Sequence, residues 1–351
     1  WPWQLAAWCF EASWWLFGYA ARSELSLWWL PQSNRWALIS AVFGVFWLLL
    51  PRGSGGRVPA LLLCLPLLWP ARHGPAEGEV ELLVMDVGQG LAVAVRTRRH
   101  TLLYDTGPGA EDGFDAGERI VVPTLRALGQ GRLDRIMISH DHRDHTGGLR
   151  GVRRSFPGAT LQAPPGALRG RASACHAGQA WQWDGVTFRV LHPPRDEPQP
   201  TNDSSCVLRL ETSQGAILLA GDIEKRSEAL LVQHAGALLA AQAVVVPHHG
   251  SASSSTPAWV AAVAPRLAIV STGHRNRFGH PRAEVVERWQ AVGAEVLNTS
   301  ESGAVRVWLG RDGLQVREQR VFERRWWDAA ERSRPAAILS AIKQAAAGPE
   351  D

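Results

Sequence analysis

The segment Ser139–Gly148 reads SHDHRDHTGG and gathers His140, His142, Asp144 and His145 within six positions. Neutral imidazole and carboxylate are natural ligands for Zn(II) and Mn(II). Alternating them over a tight turn lets the first two reach one ion and the last two a neighbour. Two divalent metal ions a few ångströms apart are therefore expected. Such a centre needs a bridging carboxylate, and Asp222, directly after the apolar run AILLAG, is placed to supply it. It also needs another imidazole, and VVVPHHG offers His248 and His249 at a strand end. Neighbours on a strand point to opposite faces, so one of the two ligates. His248 is favoured, which leaves His249 to hydrogen-bond substrate or orient a ligand. The first ion then takes His140, His142 and Asp222, and the second takes Asp144, His145, Asp222 and His248. Two such ions make a water nucleophilic at neutral pH and neutralise charge developing on phosphorus or on a carbonyl, so the reaction class is hydrolysis.

These residues need strands that end at one point. Arg135-Ile-Met-Ile, just before the ligand segment, reads as a buried strand, and a helix should start near Gly147. VELLVMDVGQG, LAVAVRT and HTLLYDTG read as consecutive strands closed by Gly turns. ERIVVPTLRALG is a helix ended by Gly129. VTFRVLHP, SSCVLRLE and AILLAGD continue as strands, EKRSEALLVQHAGALLA as a helix, and AVVVPHHG as a strand running into a loop. TPAWVAAV is a helix with Thr256 as N-cap and Pro257 at its first position. LAIVST is a strand, RAEVVERWQAVG a helix, and VRVWLG with LQVREQR a closing hairpin. Strands in runs with interspersed helices predict two facing sheets covered by helices, an α/β fold.

The chain has 351 residues and a formal net charge of +4, with Lys only at positions 225 and 343, so its basic residues are nearly all Arg. Of its 17 Trp, nine lie in the first 50 residues, a membrane-interface pattern more than a soluble-core one. The apolar runs Trp36–Leu50 and Val58–Pro70 flank PRGSGGR and predict a short helical hairpin, although neither reaches the roughly 18 to 20 residues of a free-standing span. Arg52 and Arg57 in that turn predict a cytoplasmic turn and an outer position for everything after Pro70. Residues 1–70 are thus a membrane-associated helical segment, 71–79 a linker, 80–312 the catalytic domain, and 313–351 a closing strand and a helical or disordered tail. The chain opens without Met and reads as the C-terminal part of something longer. Four scattered Cys exclude a disulfide scaffold and a Cys-type zinc site, and Cys175 with Cys206 is favoured as two buried thiols over a pair.

Taken together, MDVGQG at 85–90, YDTGPG at 104–109, SHDHRDHTGG, NDSS at 202–205, LLAGDIE at 218–224, VPHHGS at 246–251 and NRFGHP at 276–281 resemble the metallo-β-lactamase fold hydrolases. More narrowly, they resemble the C-terminal domain of ComEC-type DNA-internalisation competence proteins. The resemblance implies a four-layer αββα sandwich preceded by short membrane helices. It also implies phosphodiester hydrolysis of DNA, one strand being degraded while the other passes through an inner-membrane channel. The implied partners are DNA, the inner membrane and the rest of the uptake machinery, with the catalytic domain on the outer, periplasmic face.

Related hydrolases add a third His to the first ion where this chain has Asn202-Asp203-Ser204-Ser205, so weaker metal is expected there. Asn202 and Ser205 are expected to face substrate, and His192 is the nearest substitute ligand. Asp86 and Asp105 are expected beneath the site as supports of the ligating His. His280 is the candidate to touch a phosphate or protonate a leaving oxygen, with Arg275 and Arg277 beside it for flanking phosphates. Asp144 and Asp222 complete the catalytic set. The competing readings are a small-molecule ester or lactam hydrolase and a non-catalytic module that guides DNA to a transporter.

Overall fold

The computed structural model describes residues 1–21, 31, 33–51, 53, 55–69, 74–110, 113–195 and 202–323. The chain divides into two compact units, one of residues 1–72 with 126–130 and the other of the remainder.

In the first unit, helix α1 (Pro2–Ala21) buries none of its residues. Trp3, Trp8, Phe10, Trp14, Trp15 and Phe17 are all exposed. Helix α2 (Arg35–Leu49) begins at Asn34, whose side chain accepts the Ala37 amide at 2.8 Å. It folds back on α3 (Arg57–Leu62) and α4 (Leu65–Leu68) through small residues: Ala37, Ala41 and Gly44 are buried, and Gly44 lies against Ala60. A Cβ on Gly44 would meet the Ala60 carbonyl oxygen at 2.5 Å, so only glycine permits this approach. The expected hairpin is present. No described helix, however, is long and apolar enough to cross a membrane. Arg52, half of the expected topology signal, lies outside the described residues.

The second unit carries two mixed sheets. In chain order the strands are β1 (Val80–Val84), β2 (Val93–Arg96), β3 (Thr101–Tyr104), β4 (Arg135–Met137), β5 (Thr160–Ala163) and β6 (Ser173–Ala174) in the first sheet. The second sheet takes β7 (Ala180–Trp183), β8 (Val186–His192), β9 (Val207–Thr212), β10 (Gly215–Leu219), β11 (Ala243–Val245), β12 (Leu267–Val270) and β13 (Glu295–Asn298). The chain then returns to the first sheet with β14 (Val305–Gly310) and β15 (Gly313–Glu318), β14 pairing antiparallel with β1. The closing hairpin therefore belongs to the first sheet, and the expected boundary at 312 cuts through it.

Each sheet changes from antiparallel to parallel pairing once, after β3 in the first and after β10 in the second. Side chains alternate across a strand, so Val80, Leu82 and Val84 of β1 share one buried cluster with Phe188 and Val190 of β8 and Ile217 and Leu219 of β10. That cluster draws on both sheets. On the other face of the second sheet, Leu218, Val244 and Ala268 pack against helices that follow the switch, carrying Leu231, Trp259 and Trp289.

Helices depart from expectation where the backbone needs a break. ERIVVPTLRALG forms a π-helical turn, Gly117–Val121, continued by α5 (Val122–Ala127). The ligand segment contains its own short helix, α6 (Arg143–Thr146), before α7 (Leu149–Ser155). Helix α8 (Lys225–Ala235) stops at Gly236, φ +44°, and a 3-10 turn continues to Leu239. Helices α9 (Pro257–Val263) and α10 (Ala283–Ala291) follow expectation, Thr256 capping the Trp259 amide of α9 at 3.4 Å. The short α11 (Thr299–Ser302) and α12 (Gln319–Phe322) flank the closing hairpin. Strands β5, β6, β7 and β13 were not expected, being two to four residues long. The expected tail helix lies outside the described residues.

The pair Cys175 and Cys206 corrects another expectation, because the two are joined in a disulfide with Cα atoms 6.2 Å apart. The chain separation of 31 residues hid the fact that the end of β6 and the start of β9 come together across the sheets. Both cysteines are fully buried. Closing a loop of this length constrains the unfolded chain by about 3–4 kcal/mol. A Cys175→Ser/Cys206→Ser double variant should melt several degrees lower than wild type by differential scanning calorimetry, and reductant should lower the wild-type midpoint without moving the variant's.

Candidate metal centre

The ligand-type residues leave the carboxyl ends of strands β3, β4, β10 and β11, where both sheets carry parallel neighbours and loops from different strands converge. Asp105 follows β3, His140–His145 follow β4, Asp222 follows β10, and His248 and His249 follow β11. Among the described residues, Asp144, His145, Asp222 and His249 form one group whose ligand atoms all lie within 4.8 Å of one another. His145 Nε2 is 3.3 Å from Asp222 Oδ1, and His249 Nε2 is 3.4 Å from Asp144 Oδ2 and 3.6 Å from Asp222 Oδ2. His140 adds its Nε2 at 3.9 Å from Asp222 Oδ2.

Each of these imidazoles is held by its other nitrogen. Asp105 accepts from His145 Nδ1 at 2.7 Å, and its two oxygens also accept the Ser139 amide (2.6 Å) and hydroxyl (2.7 Å). His249 Nδ1 donates to the Ser271 carbonyl at 2.8 Å, and His140 Nδ1 lies 3.0 Å from Ser139 Oγ. The tethers aim each Nε2 at the centre. There the Nε2 atoms of His140, His145 and His249 and Asp222 Oδ1 are buried without a hydrogen-bond partner. Buried polar atoms are almost always paired, so converging bare nitrogen and oxygen atoms fit a cation that would satisfy them together.

The electrostatics agree. Burial opposes the charge of Asp222, but His145 and His249 outweigh it and hold the carboxyl well below its ordinary range. Asp144 is likewise held down, against burial, by the neighbouring His249 and His145 imidazoles. His145 and His249 are pushed up despite burial, chiefly by Asp222. His140, lacking an equally close carboxylate, is driven well down by burial and the neighbouring His145 charge. The carboxylates and imidazoles that converge here together favour a cation among them.

Backbone contacts fix the segment. Gly90, φ +144°, lies so close to the Asp144 carbonyl that a Cβ there would sit 2.3 Å from its oxygen, and the Leu91 amide donates to that oxygen at 3.1 Å. The MDVGQG turn is therefore a backbone support of the ligand loop. Thr106 donates to the His145 carbonyl through both its amide (2.7 Å) and its hydroxyl (2.8 Å).

Several residues sit elsewhere than expected. His249, and not the favoured His248, joins Asp144, His145 and Asp222. The strand-alternation argument does not apply, since both His lie in a 3-10 turn at left-handed φ of 49° and 54°. His248 Nε2 is 3.9 Å from Asp222 Oδ2. Asp86 does not touch a ligating His; it pairs with Arg320 at 2.7 Å and ties the end of β1 to α12. Ser205 is fully buried, its hydroxyl accepting the Asp222 amide (3.0 Å) and donating to the Asn202 carbonyl (2.7 Å), so it positions Asp222 and does not face substrate. His192 Nδ1 lies 3.0 Å from the Ser205 carbonyl.

His142 is exposed, its ring 4.5 Å from that of His140. His280 lies at the border, its ring 6.1 Å from that of His248, and burial with the nearby His249 and His248 pushes it down to about 4. Asn276 staples the intervening loop, donating to the His280 carbonyl (2.6 Å) and accepting its amide (3.0 Å). Arg275 and Arg277 on that loop are exposed. Glu224, Ser139 and Ser253 were missed, because Ser and Glu at these spacings carry no metal signature of their own.

Asp105→Asn should weaken metal binding about 10–100-fold while leaving the fold intact, since it removes the charge that holds His145 but keeps the side-chain shape. Metal titration beside circular dichroism checks this; an unchanged dissociation constant would contradict it.

The profile of the metallo-beta-lactamase superfamily matches residues 85–274. The chain is similar to competence protein ComA of Neisseria gonorrhoeae, with 39% identity over 289 residues, covering 82% of this chain and 41% of that protein. It is also similar to recombination protein 2 of Haemophilus influenzae, at 31% identity, covering 84% and 38%. ComE operon protein 3 of Bacillus subtilis is 29% identical, covering 71% and 35%. The chain thus spans less than half the length of these relatives. With the His/Asp segment, Asp222 and the PHHG turn all inside the matched region, the chain belongs to the metallo-beta-lactamase superfamily and, within it, to the ComEC-type competence proteins.

Proposed function

We propose that this domain is a metal-dependent phosphodiesterase that degrades DNA, acting on one strand during uptake across the inner membrane. The observation that carries the metal-dependent part is the convergence of three bare imidazole nitrogens on Asp222. Two ions, Zn or Mn, are proposed. When bound they would acidify a water and neutralise charge on the reacting phosphorus. Asp144, His145, Asp222 and His249 would hold the second ion; His140, His142 and Asp222 contribute to the first. His280, kept neutral by its surroundings, faces the substrate side.

A polymeric substrate is supported by the openness of the ligand loop, where Asp141, His142 and Arg143 are all exposed. The relatives named for competence and recombination support DNA. The reading as a small-molecule hydrolase is supported by a hydroxyacylglutathione hydrolase of Aeromonas salmonicida, 33% identical, but over only 28% of this chain. A periplasmic position of the domain is proposed from the buried Cys175–Cys206 disulfide, since such bonds persist in oxidising compartments. Membrane association of residues 1–70 is proposed from the exposed Trp and Phe of α1.

Purified protein loaded with Mn(II) or Zn(II) should cleave end-labelled DNA, and Asp222→Ala should abolish cleavage with an unchanged circular dichroism spectrum. Turnover persisting in that variant would refute the metal-centre reading. Replacing Arg275 and Arg277 together with Ala should weaken binding of single strands with little change in the saturated rate. It should also lower the log–log salt slope by about 0.7 per lost phosphate contact. Anisotropy across a salt series reads the slope; an unaltered slope would remove these arginines from the DNA path.

A further inference from the structure

His248 remains beside the centre without a role in the group formed by Asp144, His145, Asp222 and His249. Its surroundings are as ordered as those of the other imidazoles. Nδ1 lies 3.0 Å from Glu224 Oε1 and 3.0 Å from Ser253 Oγ, and Ser253 Oγ itself donates to Glu224 Oε1 at 3.0 Å. A carboxylate only accepts, so Nδ1 carries the proton and Nε2 presents a lone pair. That Nε2 is 3.9 Å from Asp222 Oδ2, the same oxygen that lies 3.9 Å from His140 Nε2. Ligand atoms sharing one tetrahedral ion stand about 3.4 Å apart, so both contacts need about half an ångström of closure.

Asn202 lines the same spot. Its Nδ2 donates to Glu224 Oε1 at 3.2 Å and lies 3.4 Å from His248 Nε2, and its Oδ1 is buried without a partner. Asp203, next in the chain, accepts the Glu224 amide at 2.9 Å, and the His248 amide donates to the Gly221 carbonyl at 3.1 Å. The Asn202 turn, the start of α8 and the PHHG turn are thereby locked together around Glu224. Carboxylate–imidazole–metal arrays of this form raise ligand basicity and fix the ring.

We propose that His248 is the third imidazole of the first ion, beside His140, His142 and Asp222, and that Glu224 is its positioning residue with Ser253 as second anchor. The proposal rests on the two-ion reading of the site. The left-handed PHHG turn then supplies both ions from adjacent residues, His248 to the first and His249 to the second.

The test counts metal per chain in full-length protein by inductively coupled plasma mass spectrometry after equilibration with Mn(II) or Zn(II), and records the visible spectrum of the Co(II)-loaded form. Wild type should hold two ions and His248→Ala one, with the remaining ion's affinity unchanged. Glu224→Gln keeps an acceptor and should fold as wild type; it should retain two ions at saturation, bind the first about 10–100-fold more weakly, and alter the Co(II) spectrum. Glu224→Asp should recover part of that loss. Two ions at wild-type affinity in His248→Ala, or an unchanged first ion in Glu224→Gln, would overturn the proposal. A wild-type chain holding one ion would overturn it while leaving a mononuclear hydrolase standing, whereas a chain binding no metal would refute the functional reading itself.

Discussion

The centre depends on a fully buried carboxylate. Asp105 leaves β3 in a left-handed conformation, φ +58°, and accepts three hydrogen bonds, from the Ser139 amide, the Ser139 hydroxyl and His145 Nδ1. Burial raises its pKa, while His145 and the Ser139 donors oppose that rise. An unpaired charge here would cost several kcal/mol, so the three donors and the carboxylate require one another. One side chain thus fixes the start of the ligand loop, the ring of its last His, and the spacing between β3 and β4.

Around that constraint the fold repeats one device. Every central imidazole gives Nδ1 to a different kind of partner: carboxylate for His145, backbone carbonyl for His249, hydroxyl for His140, and the Glu224–Ser253 pair for His248. The Nε2 atoms are thereby left free to face the centre. Preorganisation of this kind places the cost of ordering the site in folding, so that metal and substrate meet a finished surface.

Much of this was legible in the sequence because ligand types at short spacing have few other uses. The His-x-His-x-Asp-His segment, the Asp after AILLAG and the His248-His249 dipeptide located the centre, and long apolar runs located β1–β4 and β8–β12. The choice between His248 and His249 was not legible, since it turns on two left-handed φ values that the residue types do not advertise. Ser205 and Asp86 were misplaced for a similar reason: a polar residue near a motif can face inward to backbone or outward to a distant partner such as Arg320. Strands β5–β7 and β13 are too short for an alternating pattern, and the disulfide depends on which strand ends meet in space. The membrane expectation for the first 70 residues rested on composition, and no described helix there is both long and apolar enough to cross a membrane.

The return of β14 and β15 to the first sheet has a consequence for biogenesis. Strand β1 has β2 on one side and β14 on the other, Val80 pairing with Leu309, so the opening strand of the domain waits for nearly the last described residues before its second edge is covered. Contacts of such sequence separation form slowly. Until the chain has emerged through Glu318, the first sheet is incomplete, and the half-built domain offers an open strand edge to any chaperone or neighbouring nascent chain.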